Sequence, residues 1–270
     1  MRRDDSRLDQ RLEADLGTRE WFAAVAVADA RYVLSFDVES SDDDHENLVS
    51  TLNIIRLAVN QKLREVRVMA LIEDARQIQN SILPRQIPQP GDFEIAARTV
   101  AAEIVGGDFY DVITLDDDVF DVVVADATGH GRPAALQVRD VFTGLRMGLA
   151  REYKLTRTVA RLNQLIHRSR LATKFVTLFL AEMNLDGRII YCNAGHPPAL
   201  LLREGKVARL RRGGLVLGVH PEAAYERGFV SLRPGSALLL YTDGLTEALS
   251  PTGEPFGEAR LVRTFREHRD

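Results

Sequence analysis

Hydrophobic and polar positions follow three different patterns along the 270-residue chain. In the first pattern, two short apolar runs, WFAAVAVAD and RYVLSFDVE, are joined by a turn-like Asp29-Ala30 pair and followed by the acidic run SSDDDHE. Such runs predict two β-strands. Because two strands alone are only marginally stable in water, we expect residues 1–46 to be the end of a larger domain or a segment that docks elsewhere.

The second pattern, over residues 47–83, predicts one long amphipathic helix. The segment contains neither Gly nor Pro, and at 1.5 Å per residue it would be roughly 50 Å long. Such a helix either pairs with its copy as a short coiled coil or packs on its own domain; we favour pairing, and hence a homodimer through residues 47–83. Its apolar residues recur at spacings of three and four, as on one helix face: Leu48, Leu52, Ile55, Val59, Leu63, Val66 and Ala70.

The third pattern begins after the proline-rich break LPRQIPQPGD and consists of many short apolar runs. Eight of these runs, from FEIAARTV (93–100) to SALLLYTD, are rich in strand-forming residues and bounded mostly by turn residues. The Asp-Gly pair within Asn184–Arg188 predicts a hairpin. Helical patterns occur in PAALQVRDVFTGLRMGLARE, LTRTVARLNQLIHRSRL and GEARLVRTFREH. Strands that are mostly adjacent in sequence, with helices inserted as a block, predict an α+β fold with a largely antiparallel sheet or sandwich.

Composition excludes several functional classes. The net charge of −4 argues against nucleic-acid binding, which needs a clustered basic face. The single cysteine, Cys192, allows neither a disulfide framework nor a thiolate metal cluster within one chain, and suggests a reducing environment. No apolar run approaches the length of a membrane span, and the N-terminus lacks the apolar core of a signal peptide. We therefore expect a cytoplasmic protein that contacts no membrane.

Three carboxylates stand at the ends of apolar strands, each beside glycine. Asp108 follows a Gly-Gly pair, Asp126 ends the run VVVAD, and Asp243 ends ALLLYTD. Taken singly, each is an ordinary turn residue. If the three meet, their mutual repulsion requires protonation or a cation, and oxygen ligands suit Mg²⁺ or Mn²⁺. The six histidines lack zinc-site spacing, and no serine lies on a G-x-S-x-G elbow.

Two glycine-containing loops have less specific patterns. In TGHGRPAAL, the backbone N–H groups of Gly129 and Gly131, on either side of His130, could line an anion pocket before a helix. The alternative is a plain strand-to-helix turn. In NAGHPP, which begins at Asn193, we expect His196 to be a structural loop histidine more readily than a catalyst.

Six ordered motifs, GGDFYD, VADATGHGRPAAL, FVTLFLAEMN, NAGHPPALLL, GLVLGV and YTDGLTEA, resemble those of the PPM (type 2C) metal-dependent serine/threonine phosphatases, in their bacterial SpoIIE/RsbU-like branch. The resemblance covers residues 78–265. It implies an α-β-β-α sandwich, two antiparallel sheets flanked by helices, in a phosphatase domain over 84–270. It also implies a two-metal centre of Mn²⁺ or Mg²⁺ and a water-activating mechanism.

The resemblance assigns roles residue by residue. Asp126 matches the acid that bridges both metals, and Ala127 would offer its carbonyl to one of them. Asp243 matches a ligand of one metal, and Asp108 matches an acid acting directly or through metal-bound water; we take these three acids as catalytic. Other matched positions shape the loops or lie near phosphate (Gly107, Gly129, His130 and Gly131) or form a secondary loop group (Asn193, His196 and Gly244).

The implied function is removal of phosphate from serine or threonine of a phosphorylated regulatory protein, a STAS-like anti-sigma-factor antagonist, in bacterial signal transduction. Residues 1–46 would then be the end of a GAF-like sensory domain, which the 47–83 helix links to the phosphatase. The family usually has a further acidic pair before a final strand. The chain stops at TFREHRD, short of that pair, so we expect one metal ligand to be missing, by truncation or by loss. The alternative function is a non-catalytic partner-binding module with an incomplete metal site.

Overall fold

The computed structural model describes residues 22–37, 45–100, 106–129, 132–149, 154–169 and 175–268. The chain divides into two compact units, Met1–Leu71 and Ile72–Asp270. None of the described helices combines the length and apolar composition needed to cross a bilayer.

In the first unit, two strands form an antiparallel hairpin where the sequence predicts them. Strand β1 is Phe22–Val27 and strand β2 is Tyr32–Asp37. Val25 and Val27 are buried, and the Ala28 N–H donates to Asn60 Oδ1 at 2.7 Å. Residues 1–21 and 38–44 lie outside the described part of the chain, and the expectation that residues 1–46 end a larger domain or dock elsewhere stays a prediction.

The long helix predicted over residues 47–83 forms as α1, His45–Ile82, and is about 57 Å long at 1.5 Å per residue. Its apolar residues do not form one covered stripe. Leu48, Leu52, Ile55 and Val59 are half-buried, whereas other apolar side chains are exposed on and off that stripe: Ile54, Leu57, Leu63, Val66, Val68, Met69 and Leu71. The prediction of a single amphipathic face is therefore wrong for this helix, which carries exposed apolar residues around more of its surface.

The second unit contains two sheets. The larger one has the strand order β10-β6-β5-β4-β3, antiparallel between these neighbours, with β9 added parallel to β6. The smaller one is antiparallel with the order β11-β7-β8. The strands are β3 Asp108–Thr114, β4 Val119–Ala127, β5 Val176–Asn184, β6 Arg188–Ala194, β7 Ala199–Arg203, β8 Lys206–Leu210, β9 Gly213–Gly214, β10 Gly228–Ser231 and β11 Ala237–Leu239.

Helices and sheets of the second unit stack as the α-β-β-α sandwich that the motifs imply. Helices α2 (Arg132–Leu149) and α3 (Leu155–Arg168) pack on one face of the larger sheet, around a core that includes Leu178. Phe179, on the opposite face, packs in the core with Leu201 of the smaller sheet. Helix α5 (Glu258–Glu267) covers the smaller sheet, and a short helix α4 (Asp243–Glu247) follows β11. Burial on both faces explains the continuous apolar runs of β4 and β5.

The strand predicted over residues 93–100 is wrong, because these described residues run as irregular chain. The Gln89 side chain makes both hydrogen bonds that a neighbouring strand would make with the Ile95 backbone. Its Oε1 accepts from the Ile95 N–H at 2.7 Å, and its Nε2 donates to the Ile95 carbonyl at 2.7 Å. Phe93 packs edge-on against Phe120 at 5.2 Å between ring centroids. Tertiary contacts thus replace the sheet pairing that the apolar pattern suggests.

Strand β4 carries a buried acid that takes no part in the candidate site. Asp121 is 2% exposed, and among the described residues its Oδ1 has no hydrogen-bond partner. Burial, and secondarily the charge of the cross-strand residue Glu182, raise the pKa of Asp121 to about 7. Because the folded-state pKa lies above the unfolded value, Asp121 does not lower the free energy of unfolding below pH 4, where it is protonated in both states. As pH rises from 4 to 7, Asp121 lowers the free energy of unfolding by an increasing amount.

We therefore predict that Asp121→Asn stabilises the protein at alkaline pH. The gain in the free energy of unfolding should be close to zero at pH 4 and reach about 2–4 kcal/mol at pH 8, as measured by urea unfolding across that range. A gain that is the same at every pH would contradict the assignment of a raised pKa to Asp121.

Candidate active site

Two of the predicted acids lie opposite each other on neighbouring strands. Asp108 begins β3 and Asp126 is the penultimate residue of β4, and the antiparallel register pairs them directly. Directly paired residues project on the same face of a sheet. By the alternation of side chains this is the face that carries Val112 and Phe120, which line the interior between the two sheets. The two carboxylates therefore meet at one edge of the sandwich.

The segment after β11 brings further acids to the same place. The Thr242 hydroxyl donates to Asp108 Oδ2 at 2.9 Å. Asp243 begins α4, and its charge raises the pKa of both Asp108 and Asp126. Glu247, one helical turn further on, also raises the pKa of Asp126. The structure thus places the three predicted acids near one another. It adds Glu247, which was not predicted although it lies four residues from Asp243 in the motif YTDGLTEA.

The electrostatics of this acid cluster, Asp108, Asp126, Asp243 and Glu247, are unfavourable without a cation. Burial is the largest cause that raises the pKa of Asp126 to about 7, and the charges of Asp108, Asp243 and Glu247 add to it in that order. Burial likewise raises the pKa of Asp108; the Thr242 hydrogen bond acts in the opposite direction, and the charge of Asp243 raises it further. Positive charge placed among these oxygens would relieve the repulsion.

Gly107 allows the backbone beside Asp126 to pack closely. The Ala127 N–H donates to the Gly107 carbonyl at 3.1 Å. A Cβ atom on Gly107 would overlap the Ala127 carbonyl oxygen and lie 3.0 Å from Asp126 Oδ1. Glycine is therefore required here by close approach, and it leaves space beside the carbonyl that the resemblance assigns to a metal.

The donor atoms fit Mg²⁺ or Mn²⁺ chemically. Carboxylates at Asp108, Asp126 and Asp243 and the carbonyl of Ala127 form a set composed only of oxygen, which hard divalent cations prefer. Within the described part of the chain, no group of three or more His, Cys, Asp or Glu side chains is arranged closely enough to hold a metal ion by itself. A cation held here would therefore also need a carbonyl, such as that of Ala127, and water as ligands.

The turn after β4 is described only in part. Thr128 Oγ1 donates to the Phe175 carbonyl at 3.0 Å, and Gly129 has a φ of 96°, a conformation that glycine adopts readily. His130 and Gly131 lie outside the described residues, so the anion pocket predicted there stays a prediction.

The NAGHPP loop contains two buried polar side chains, those of Asn193 and His196. His196 is 5% exposed, and burial lowers its pKa to about 4. The Asn193 side chain forms hydrogen bonds with both the N–H and the carbonyl group of His196. A residue this buried and uncharged is poorly placed to donate a proton to a phosphate. Gly244, in the first turn of α4, has only Thr242 Oγ1 near the position of a Cβ atom, at 3.9 Å, and shows no steric need for glycine.

Comparison with protein families and known proteins gives consistent matches. The family model described as "Stage II sporulation protein E (SpoIIE)" matches residues 116–270. Protein IcfG of Synechocystis sp. is 28% identical over 280 residues, which cover 90% of this chain and 43% of that protein. Phosphoserine phosphatase RsbU of Bacillus subtilis is 28% identical over 199 residues, covering 72% of this chain and 59% of that protein. The chain thus spans about half the length of these relatives.

Solved structures agree with the observed architecture. The RsbU and RsbW domains of a Mycobacterium tuberculosis protein are 28% identical, with a TM-score of 0.54 over 65% of this chain and 48% of that one. The SiaA-PP2C domain of Pseudomonas aeruginosa is 23% identical, with a TM-score of 0.60 over 76% of this chain and 84% of that one, and supports the fold alone.

Proposed function

The chain belongs to the SpoIIE family of PP2C-type phosphatase domains, and from that premise we propose that it is a metal-dependent phosphatase acting on phosphoserine or phosphothreonine of a regulatory protein. The observation that carries the proposal is the acid cluster. Four carboxylates interact at one edge of the sandwich, where burial first, and then the charges of Asp108, Asp243 and Glu247, raise the pKa of Asp126 to about 7. Such repulsion is typical of a site built to hold cations.

In the proposed site each residue has a definite task. Asp126 would bridge the cations, and Ala127, Asp243 and Asp108 would supply further oxygen ligands. A pair of divalent cations supplies Lewis-acid activation of water and neutralises the charge of the phosphate oxygens. Thr242 orients the Asp108 carboxylate through its hydrogen bond.

We propose a STAS-like anti-sigma-factor antagonist as the substrate class. The proposal is supported by similarity to a protein named phosphoserine phosphatase RsbU and rests on analogy for the identity of the partner. A folded protein substrate can also contact surface beyond the acid cluster, and that additional binding energy raises kcat/KM for the intact protein over a peptide.

We expect Mn²⁺-dependent phosphate release from a serine-phosphorylated STAS-domain protein to exceed release from its tryptic phosphopeptide by about tenfold in kcat/KM. Phosphate would be measured by a coupled colour assay, with EDTA as the metal-free control. Tight binding of the phosphoprotein without release in either Mn²⁺ or Mg²⁺ would instead favour the non-catalytic partner-binding module.

We further propose that two copies pair through α1. The supporting observation is the number of apolar side chains exposed along this helix; Val66 and Met69, for example, are 56% and 64% exposed. Burial of such side chains between two helices is favourable in water.

We predict that the chain sediments as a dimer at micromolar concentration and that the double variant Val66→Glu/Met69→Glu sediments as a monomer. The matched control is Gln61→Glu, which adds a charge at an exposed polar position of the same helix and should remain dimeric. A wild-type monomer would contradict pairing through α1.

A further inference from the structure

The NAGHPP loop is folded tightly around one side chain. Asn193 Oδ1 accepts from the His196 N–H at 2.7 Å, while Asn193 Nδ2 donates to the His196 carbonyl at 2.9 Å. Asn193 is itself 4% exposed, and Gly195 adopts a φ of 67° that permits the turn between them. The backbone of His196 is thereby fixed at both its N–H and its carbonyl group.

On one side the His196 ring contacts the strand pair that carries Asp126. His196 Nδ1 lies 2.8 Å from Thr177 Oγ1. Thr177 stands directly opposite Asp126 in the register of β4 and β5, and its hydroxyl is 3.5 Å from the Asp126 carbonyl oxygen. The ring is thus connected through one hydroxyl to the backbone at the position of the central acid.

On the other side the ring faces the segment that carries the remaining acids. Burial lowers the pKa of His196, and the nearby Tyr241 backbone acts in the opposite direction, which places Tyr241 beside the ring, although His196 Nε2 has no hydrogen-bond partner among the described residues. The next residue, Thr242, holds Asp108 by its hydrogen bond at 2.9 Å, and Asp243 follows. A single buried side chain therefore lies between the two segments that bring the acids together.

We infer that His196 is a positioning residue that fixes the end of β4 relative to the Tyr241–Asp243 segment, so that the oxygens of Asp126, Asp108 and Asp243 are held at the spacing a divalent cation needs. This inference rests on the proposed function, because the spacing matters only if a cation binds. The ring is suited to the task because burial keeps it neutral and adds no positive charge that would compete with the metal. Loss of such supporting contacts typically weakens metal affinity by about 10–100-fold.

The test is a Mn²⁺ titration of the full chain, in which electron paramagnetic resonance measures free Mn²⁺. Thr177→Val removes the hydroxyl while keeping the side-chain shape, and His196→Phe removes both ring nitrogens. Each variant should bind Mn²⁺ about tenfold or more weakly than wild type, whereas Thr177→Ser, which restores the hydroxyl, should bind within about twofold of it.

The matched control is Ile189→Ala, a buried residue near the start of strand β6, whose other end carries Asn193. This variant should lower the melting temperature but leave Mn²⁺ affinity unchanged, which separates positioning from general stability. Wild-type affinity in a folded Thr177→Val variant would overturn this inference alone. Failure of the wild-type chain to bind Mn²⁺ at all would overturn the proposed function, and this inference with it.

Discussion

Replacing Asp126 with Asn is expected to abolish Mn²⁺-dependent phosphate release, lowering kcat/KM by about 1,000-fold or more. Asp126 is the residue on which the charges of Asp108, Asp243 and Glu247 all act, and the amide that replaces it cannot supply the negative charge that binds cations.

The same substitution should stabilise the metal-free protein. The folded-state pKa of Asp126 is about 7, above its ordinary value, so the cost of ionising it in the folded chain appears as pH rises from 4 to 7 and is complete above that range. In EDTA at pH 8, Asp126→Asn should therefore melt at a higher temperature than wild type. Excess Mn²⁺ should raise the melting temperature of wild type only.

Asp121→Asn is the matched control for this experiment. It makes the same chemical change on the same strand, at another acid whose pKa burial raises to about 7, but on the face that packs against the helices. It should retain wild-type phosphate release. Activity of Asp126→Asn above about one tenth of the wild-type value would be incompatible with a metal-bridging role for Asp126.

Gly107→Ala is expected to have the second largest effect. The added methyl group would overlap the Ala127 carbonyl oxygen and crowd Asp126 Oδ1. Because both contacts involve groups fixed by the pairing of β3 and β4, relief requires backbone movement. We expect a loss of about 2–4 kcal/mol in the free energy of unfolding and a fall of about 100-fold in phosphate release, since ångström-scale displacement of catalytic groups is costly.

Gly244→Ala tests whether this effect is specific to the position. A Cβ atom on Gly244 would have only an ordinary contact, 3.9 Å from Thr242 Oγ1, and alanine favours a helix over glycine. The melting temperature of Gly244→Ala should equal or exceed that of wild type. An unchanged melting temperature for Gly107→Ala would show that β3 and β4 can separate there without cost, contrary to the packing described.

Local patterns were sufficient to predict much of this fold. The Asp-Gly hairpin between β5 and β6 forms where it was predicted, because the turn chemistry of two residues sets the register of their strands. Asp108 and Asp126 were predicted to meet because each ends or begins an apolar strand beside glycine, and the structure pairs them directly. Both predictions depend only on short segments of sequence and on the geometry of neighbouring strands.

Other features depend on contacts between distant segments and were not predicted. Glu247 reaches the acid cluster only because a short helix begins at Asp243. Residues 93–100 have an apolar strand pattern, yet the Gln89 side chain occupies the backbone groups of Ile95. His196 lies next to both Thr177 and the backbone of Tyr241. These two residues are far apart in the sequence, and no local pattern predicts that both lie next to His196.

The most direct test of the central claim is the position of Mn²⁺ in a crystal of this chain grown with manganese, measured by anomalous diffraction. A divalent cation held by the acid cluster predicts an anomalous peak within bonding distance of an Asp126 carboxylate oxygen and the Ala127 carbonyl, with Asp108 or Asp243 completing the contacts. Under saturating Mn²⁺, the absence of any peak beside Asp126, or peaks only at other acidic surface sites, would contradict the account.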